Sequence, residues 1–373
     1  MDSISQKQDD KMKLKIKDLV DSHWILEKVD DDHVKVYYKA KKGIGPKPFI
    51  FPKEIVIDEF VSECIAMYLG DGKLSSDLHH CDFTNKDIDL VAKMLDFFRK
   101  LGVTENDITF TIDYQHGDVN KISEDIVSII GDHKFRLNKT DRNKFPSLHM
   151  QVNGKIFRIF MEKLIHKSLD HIKKEGNLRK SWLRGYFSAE GSTGYSYTEN
   201  YMVAASFAYN PNKEVWLRDY CLDLLMKEGI EEKIKIRHEE HNGQIIITNW
   251  KNYYKMWKLG IFDGCARKKE KFEKILKRVK ITCGLKDDFR RELFSGINQY
   301  EIAELLGTYQ ASISNMINGT TRNIRPTVEH LKKICEIKTV SIEDVKRNVT
   351  SVRFGNLTEM KLDDELLDDI FNR

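Results

Sequence analysis

The stretch Ser181-Trp182-Leu183-Arg184-Gly185-Tyr186-Phe187-Ser188-Ala189-Glu190-Gly191-Ser192-Thr193 sets the organisation of this chain. A looser copy lies upstream as Cys64-Ile65-Ala66-Met67-Tyr68-Leu69-Gly70-Asp71-Gly72-Lys73-Leu74-Ser75. Each run is mostly apolar and carries small residues four apart, Gly185 and Ala189 in one, Ala66 and Gly70 in the other. Positions i and i+4 share a helix face, and small residues there let two helix backbones approach closely. The pattern predicts two helices packed along these four residues. Each run then ends in an acid followed by glycine, Asp71-Gly72 and Glu190-Gly191. The glycine reads as a residue that ends a helix in a left-handed turn. The acid needs another account. A carboxylate at a helix C-terminus meets the negative end of the macrodipole, and two of them side by side repel. A cation between them removes the conflict, and magnesium, which takes oxygen ligands, fits. The competing reading is two unrelated buried helices, and the matched small residues weigh against it.

The composition is ordinary. At 373 residues the chain is long enough for two or three domains. It is 40% hydrophobic and 32% charged, with a net charge of +4 that is too weak to name a partner. Its six cysteines (Cys64, Cys81, Cys221, Cys265, Cys283 and Cys335) form no C-x-x-C pair, which argues against a zinc ribbon or a disulfide framework and suits a reducing cytosol. The N-terminus is polar and no run of about 18 apolar residues occurs. The expectation is a cytoplasmic protein, nucleoid-associated if prokaryotic, with no membrane partner.

Residues 1–55 read as an N-terminal β-rich extension, with strands over Trp24–Val29 and Val34–Tyr38 and a basic loop at Lys39–Lys47. From there the chain repeats itself. Motif helix, strand, helix, strand and helix run from Cys64 to Ile165, and the same order runs from Leu183 to Ile261. Repeats of this length are domains rather than solenoid units. Strands with helices on one side give an α+β layer. The expected boundaries are 56–172 and 178–282, with Lys173-Lys174-Glu175-Gly176-Asn177 as linker.

At its two motifs the sequence resembles the LAGLIDADG (DOD-type) homing endonucleases in their single-chain, two-motif form. Leu183 to Gly191 matches the whole motif, and Cys64 to Gly72 matches it more loosely, with Cys64 for the first leucine and Ala66 for the first glycine. The resemblance implies two pseudo-symmetric αββαββα half-domains that meet along the motif helices and form a saddle over double-stranded DNA. It implies a monomer with internal two-fold pseudo-symmetry, and a double-strand break at a long pseudo-symmetric target, as in intron homing. It implies two or more divalent ions, Mg2+ in the first instance, at Asp71, Gly72, Glu190 and Gly191. A basic residue near the attacking water is also implied, with Lys155, Lys251 and Lys269 as candidates.

Past residue 265 the composition shifts. The run Arg267 to Lys280 is strongly basic, broken by only two acids, Glu270 and Glu273. Its bland reading is a solvated helix face, and its sharper one is a phosphate-contacting helix that uses Arg267, Lys268 and Lys271. Within 285–347, Gln299 to Gly319 resembles a helix-turn-helix of the lambda-repressor type in a small all-α domain. Ala303 is small at the helix crossing, Gly307 makes the turn, and Ile313 packs the second helix. That helix would offer Tyr309, Gln310, Ser312, Ser314 and Asn315 to DNA, with Arg322 and Arg325 gripping the backbone. Residues 348–373 read as a peripheral acidic tail.

Two alternatives stay open: a DNA-binding regulator that does not cut, built from the same two modules, and a maturase that binds intron RNA. Retention of both motif acids favours the nuclease. His238-Glu239-Glu240-His241 and His79-His80-Cys81 lack further ligands at useful spacing and read as surface histidines. The chain starts at Met1 and ends Phe371-Asn372-Arg373, without the residues protein splicing needs, so a free-standing protein is expected.

Overall fold

The computed structural model describes residues 12–38, 47–73, 79–116, 119–131, 133–141, 146–196, 201–240, 242–319, 324–355, 358–360 and 362–372. The basic loop expected at Lys39–Lys47 lies almost wholly outside them, as do Arg322 and His241. The chain divides into two units. One comprises Met1–Thr193, Ala205–Ile247 and Lys255–Phe272; the other comprises Gly194–Ala204, Thr248–Tyr254 and Glu273–Arg373.

In the first unit β1 (Lys13–Lys15), α1 (Ile16–Leu19), β2 (Ile25–Lys28), β3 (His33–Tyr37), β4 (Phe49–Pro52) and β5 (Glu54–Val56) come first. Strands β2, β3 and β4 pair antiparallel, and alternation turns Phe49 and Phe51 inward. Phe51 lies 4.4 Å from Phe160, ring centroid to centroid, so these strands join the core.

Next come α2 (Glu59–Asp71), β6 (Gly72–Lys73), β7 (His80–Asn85), α3 (Ile88–Lys100), β8 (Ile108–Tyr114), α4 (Val119–Ile130), β9 (Phe135–Lys139), β10 (Ser147–Asn153) and α5 (Lys155–Lys174). They build a five-stranded sheet of order β6-β7-β10-β8-β9, in which β8 and β9 run parallel. The α4–β9 excursion is absent from the sequence expectation. Cys81, Phe83, Phe110, Ile112, Leu148, Met150 and Val152 are buried on one face. The other face carries Asp82, Thr84, Thr109, Thr111, His149 and Gln151, in register across β7, β10 and β8.

A single extended residue, Glu175, then leads into α6 (Gly176–Glu190), followed by β11 (Gly191–Ser196), β12 (Tyr201–Tyr209), α7 (Val215–Lys227), β13 (Ile234–His238) and β14 (Gly243–Ile247). The second sheet has the order β11-β12-β14-β13. Ala205, Phe207, Ile245 and Ile247 are buried in it, and Ser206, Gln244, Lys235 and Arg237 take the opposite parity. After α8 (Trp250–Lys258) comes α9 (Ala266–Arg278), which carries the basic run.

The second unit holds β15 (Ile281–Leu285), α10 (Asp287–Phe294), α11 (Gln299–Leu305), α12 (Gln310–Asn318), α13 (Val328–Lys338), α14 (Ile342–Asn348), β16 (Val349–Phe354), β17 (Thr358–Met360) and α15 (Asp364–Phe371). Two expectations are corrected here. The helices accompany a three-stranded sheet of order β15-β16-β17, so the unit is α+β rather than all-α. Its strands alternate short buried residues such as Cys283 and Val352, a pattern too brief to stand out in sequence. The acidic tail is not peripheral either. Leu366, Leu367, Ile370 and Phe371 form a buried helical stripe that the surrounding acids disguise. Asp363 caps α15 by accepting from the Leu366 amide at 2.7 Å, and Asp369 accepts from the Tyr254 hydroxyl at 2.7 Å.

Candidate functional site

The site is built by α2 and α6, which pack side by side. Asp58 starts α2 by accepting from the Val61 amide at 2.8 Å, and every residue from Val61 to Tyr68 is buried. A helix hidden on all sides must contact another closely, and here the small residues permit it. A Cβ placed on Gly70 would lie 2.6 Å from Ala189 Cβ and 3.0 Å from Glu190 Cγ. One placed on Gly185 would overlap the Glu63 carbonyl oxygen. Ala66 is fully buried on the same helix.

Buried polar groups lock the pair. Ser62 Oγ donates to the Leu178 carbonyl at 2.7 Å. Glu63, itself buried, accepts from Lys93 at 2.6 Å and from Arg184 Nη2 at 2.7 Å, which ties α2 to α3 and α6. Sequence reading passed over Glu63 and Arg184, although both sit within or beside the motifs.

Both helices end on their acids. The glycines that follow are not left-handed, contrary to the sequence expectation: φ is −93° at Gly72 and −75° at Gly191. They pass straight into strands, and glycine is required because a Cβ there would overlap the Tyr68 or the Phe187 carbonyl oxygen.

Glu190 feels the charge of Asp71. Burial, then the charges of Asp71 and Glu214, push Glu190 up to about 7, with Lys268 opposing. Burial pushes Asp71 up to about 6 against Lys268 and a 2.7 Å hydrogen bond from Asn85 Nδ2. Lys268 lies on α9, and its ammonium donates to the Phe187 and Ala189 carbonyls at 2.9 Å each. Both carbonyls lie in the last turn of α6, where Phe187 also accepts from the Gly191 amide, so the cation also offsets the adverse dipole. Burial lowers Lys268 to about 8, while Cys265, Asp71 and Asp87 hold it up.

A cleft of about 570 Å³ opens beside Asp71. Asn85, Asp87, Gly191, Arg267, Lys268 and Lys271 help line it. Arg267 pairs with Asp87 through two 2.8 Å hydrogen bonds, and Lys271 donates to the Thr193 carbonyl. The basic run therefore splits: Arg267, Lys268 and Lys271 face the cleft, whereas Lys269 pairs with Asp263 at 3.1 Å. Lys155 is exposed at the start of α5 and is not part of the cleft lining. Lys251 lies on α8, in the stretch assigned to the second unit.

Among the described residues no group of three or more His, Cys, Asp or Glu side chains is placed to hold a metal ion. The fit to a divalent cation rests on the two carboxylates. Their oxygens are hard donors, and magnesium commonly takes one or two carboxylates with water and phosphate completing its shell. The burial of both carboxylates, and the push of Asp71 on Glu190, are what such an ion would relieve.

In the second unit Ala303 and Ile313 are buried between α11 and α12, and Gly307 turns with φ +62°. Gln310 donates to Gln299 at 2.7 Å, and Asn318 donates to Ser314 at 3.4 Å. Tyr309 is 83% exposed at the start of α12. Arg325 donates to Ser351 at 2.7 Å.

No family model matches this chain, and no curated protein sequence matches it. Solved structures give partial likenesses. Mesophilic variants of the homing endonuclease I-DmoI align at 12% identity over 54% of this chain and 94% of theirs, with a TM-score of 0.31. The N-terminal LAGLIDADG domain of DUF199/WhiA aligns at 14% identity over 58% and 86%, with a TM-score of 0.35. The homing endonuclease I-WcaI, bound to its DNA recognition sequence, aligns at 17% identity over 54% and 81%, with a TM-score of 0.33. TM-scores of this size do not establish a shared fold.

Proposed function

We propose that this chain is a LAGLIDADG-type DNA endonuclease making a magnesium-dependent double-strand break at a long, near-symmetric target. One observation carries the reading: two acids end two helices in backbone contact, burial raises each toward neutrality, and Asp71 borders a cleft that Arg267, Lys268 and Lys271 also line. Folding gains nothing from that arrangement, and catalytic sites are where such strain is retained. Bound divalent ions would supply a Lewis acid and an activated water for phosphodiester hydrolysis.

The side chains divide the remaining work. Asn85 orients the Asp71 carboxylate, and Lys268 holds positive charge where negative charge builds during the reaction. We place Lys268 in the basic role for which Lys155, Lys251 and Lys269 were candidates. Arg267 and Lys271 offer cations to the backbone phosphates. The polar faces of the two sheets in the first unit act as the saddle that reads base edges. In the second unit α12 adds a separate contact through Tyr309, Ser312, Ser314 and Asn315.

A second reading, a regulator that binds DNA without cutting, is favoured by Lys268, whose ammonium already balances part of the acidic charge. The test is a plasmid library of randomised targets incubated with purified protein and magnesium, beside an Asp71→Asn, Glu190→Gln double variant. Linear product with the natural protein alone supports the nuclease. Tight duplex binding with no cleavage by either protein defeats it in favour of the regulator, and binding confined to RNA points to a maturase.

A further inference from the structure

The second unit contains a cleft that the nuclease reading touches only through Ser312. It measures about 450 Å³, within the range of small-molecule sites. Its floor comes from Lys280 and Thr282 at β15, Arg353 of β16, and Arg325, which precedes a segment running along β15. That segment is fixed by the Cys283 amide, which donates to the Pro326 carbonyl at 2.9 Å, and by a bridge between Thr282 and Thr327. One wall is α13 with His330, and the other is α12 with Ser312 and Met316. Among the described residues that line it there are three cations and a histidine but no carboxylate. Glu359 pairs with Arg325 at 3.3 Å and Arg353 at 3.6 Å, and it is not part of the lining. The Nδ1 of His330 is buried with no hydrogen-bond partner among the described residues. Burial, then Lys280, hold that imidazole below its ordinary pKa. Like charges gathered around a concave space repel, and an unpaired buried nitrogen costs free energy. A ligand with anionic oxygens answers the gathered charge.

We propose that this cleft binds a phosphate ester, with the phosphate held by Lys280, Arg325 and Arg353 and by the hydroxyls of Thr282 and Ser312. Its apolar side, Met316 and Ile324, suits the adjoining sugar or base. The ester comes either from a free nucleotide or from a backbone phosphate of duplex DNA lying against α12. Neither source depends on the carboxylates of the first unit.

The experiment uses the full chain carrying Asp71→Asn, so that the outcome is separate from cleavage. Inorganic phosphate, AMP and a random-sequence duplex are titrated into this protein, into a further Lys280→Gln, Arg353→Gln variant, and into a Lys286→Gln control outside the cleft. Thermal unfolding confirms that each variant is folded. Arg325 is left in place because it also anchors Ser351. Binding of phosphate and AMP that weakens at least about tenfold in the cleft variant, with the control unchanged, supports a free-nucleotide site. No response to phosphate or AMP, with duplex affinity reduced and its salt slope lowered by roughly 1 to 2, supports a DNA backbone contact. Equal behaviour of the cleft variant and its parent toward all three ligands overturns the proposal.

Discussion

Replacing Glu190 by glutamine keeps its shape and removes its charge, which isolates the strain at the paired acids. In the folded chain the Glu190 carboxyl is raised from an ordinary 4.5 to about 7, by burial first and then by Asp71 and Glu214. The folded state therefore holds this proton more tightly than the unfolded state. Stability from this group is full below the unfolded value, declines as pH rises, and is lost once pH passes the folded value. At about 1.4 kcal/mol per unit, a shift of this size has a ceiling of about 3 kcal/mol. Partial exposure of the side chain reduces that to roughly 1–2 kcal/mol. Urea unfolding in EDTA should find natural protein and Glu190→Gln nearly equal at pH 5, and the variant more stable by that amount at pH 8. Millimolar magnesium at pH 8 should stabilise the natural protein more than the variant, which keeps only the Asp71 carboxylate to hold an ion. Parallel pH profiles, or a variant less stable at pH 8, would show that the two acids are not in conflict.

Three further outcomes follow from the same geometry. Gly185→Ala gains helix propensity of up to 1 kcal/mol, yet its Cβ collides with the Glu63 carbonyl, so chemical denaturation should show a net loss of about 1–3 kcal/mol. Glu63→Ala leaves Lys93 and Arg184 facing each other without their anion and should cost about 3 kcal/mol by the same measurement. In Lys268→Met the end of α6 loses two hydrogen bonds and the acids lose their nearest cation. If cleavage is detected, its pH profile should move to higher pH, because Asp71 and Glu190 then ionise later. An unshifted profile would remove Lys268 from the electrostatics of the site.

The motif helices were legible because small residues at i and i+4 state their purpose locally. So were Ala303, Gly307 and Ile313, which took the buried and turning positions assigned to them. What sequence could not supply is pairwise and distant. Nothing in the run Arg267 to Lys280 singles out Lys268 from Lys269; the difference arises because one side of α9 meets the end of α6 and the other meets Asp263. Asn85 and Asp87 look like ordinary turn residues until Asp71 and Arg267 are placed beside them. The conformations of Gly72 and Gly191 misled for a different reason. Glycine answers equally to a left-handed turn and to a carbonyl too close for a side chain, and the sequence is the same in both cases.

The contact of Gly185 with the Glu63 backbone makes α2 and α6 a gauge of fixed width. Because main chain rests on main chain there, with no long side chains to flex, the distance between the two acids is set by the thickness of the polypeptide itself. If the sheet faces read DNA as proposed, base preference can drift freely through substitutions on them. On the proposed nuclease reading, the interval between the two scissile bonds cannot, since any change in it must pass through a junction that has no spare room for a methyl group.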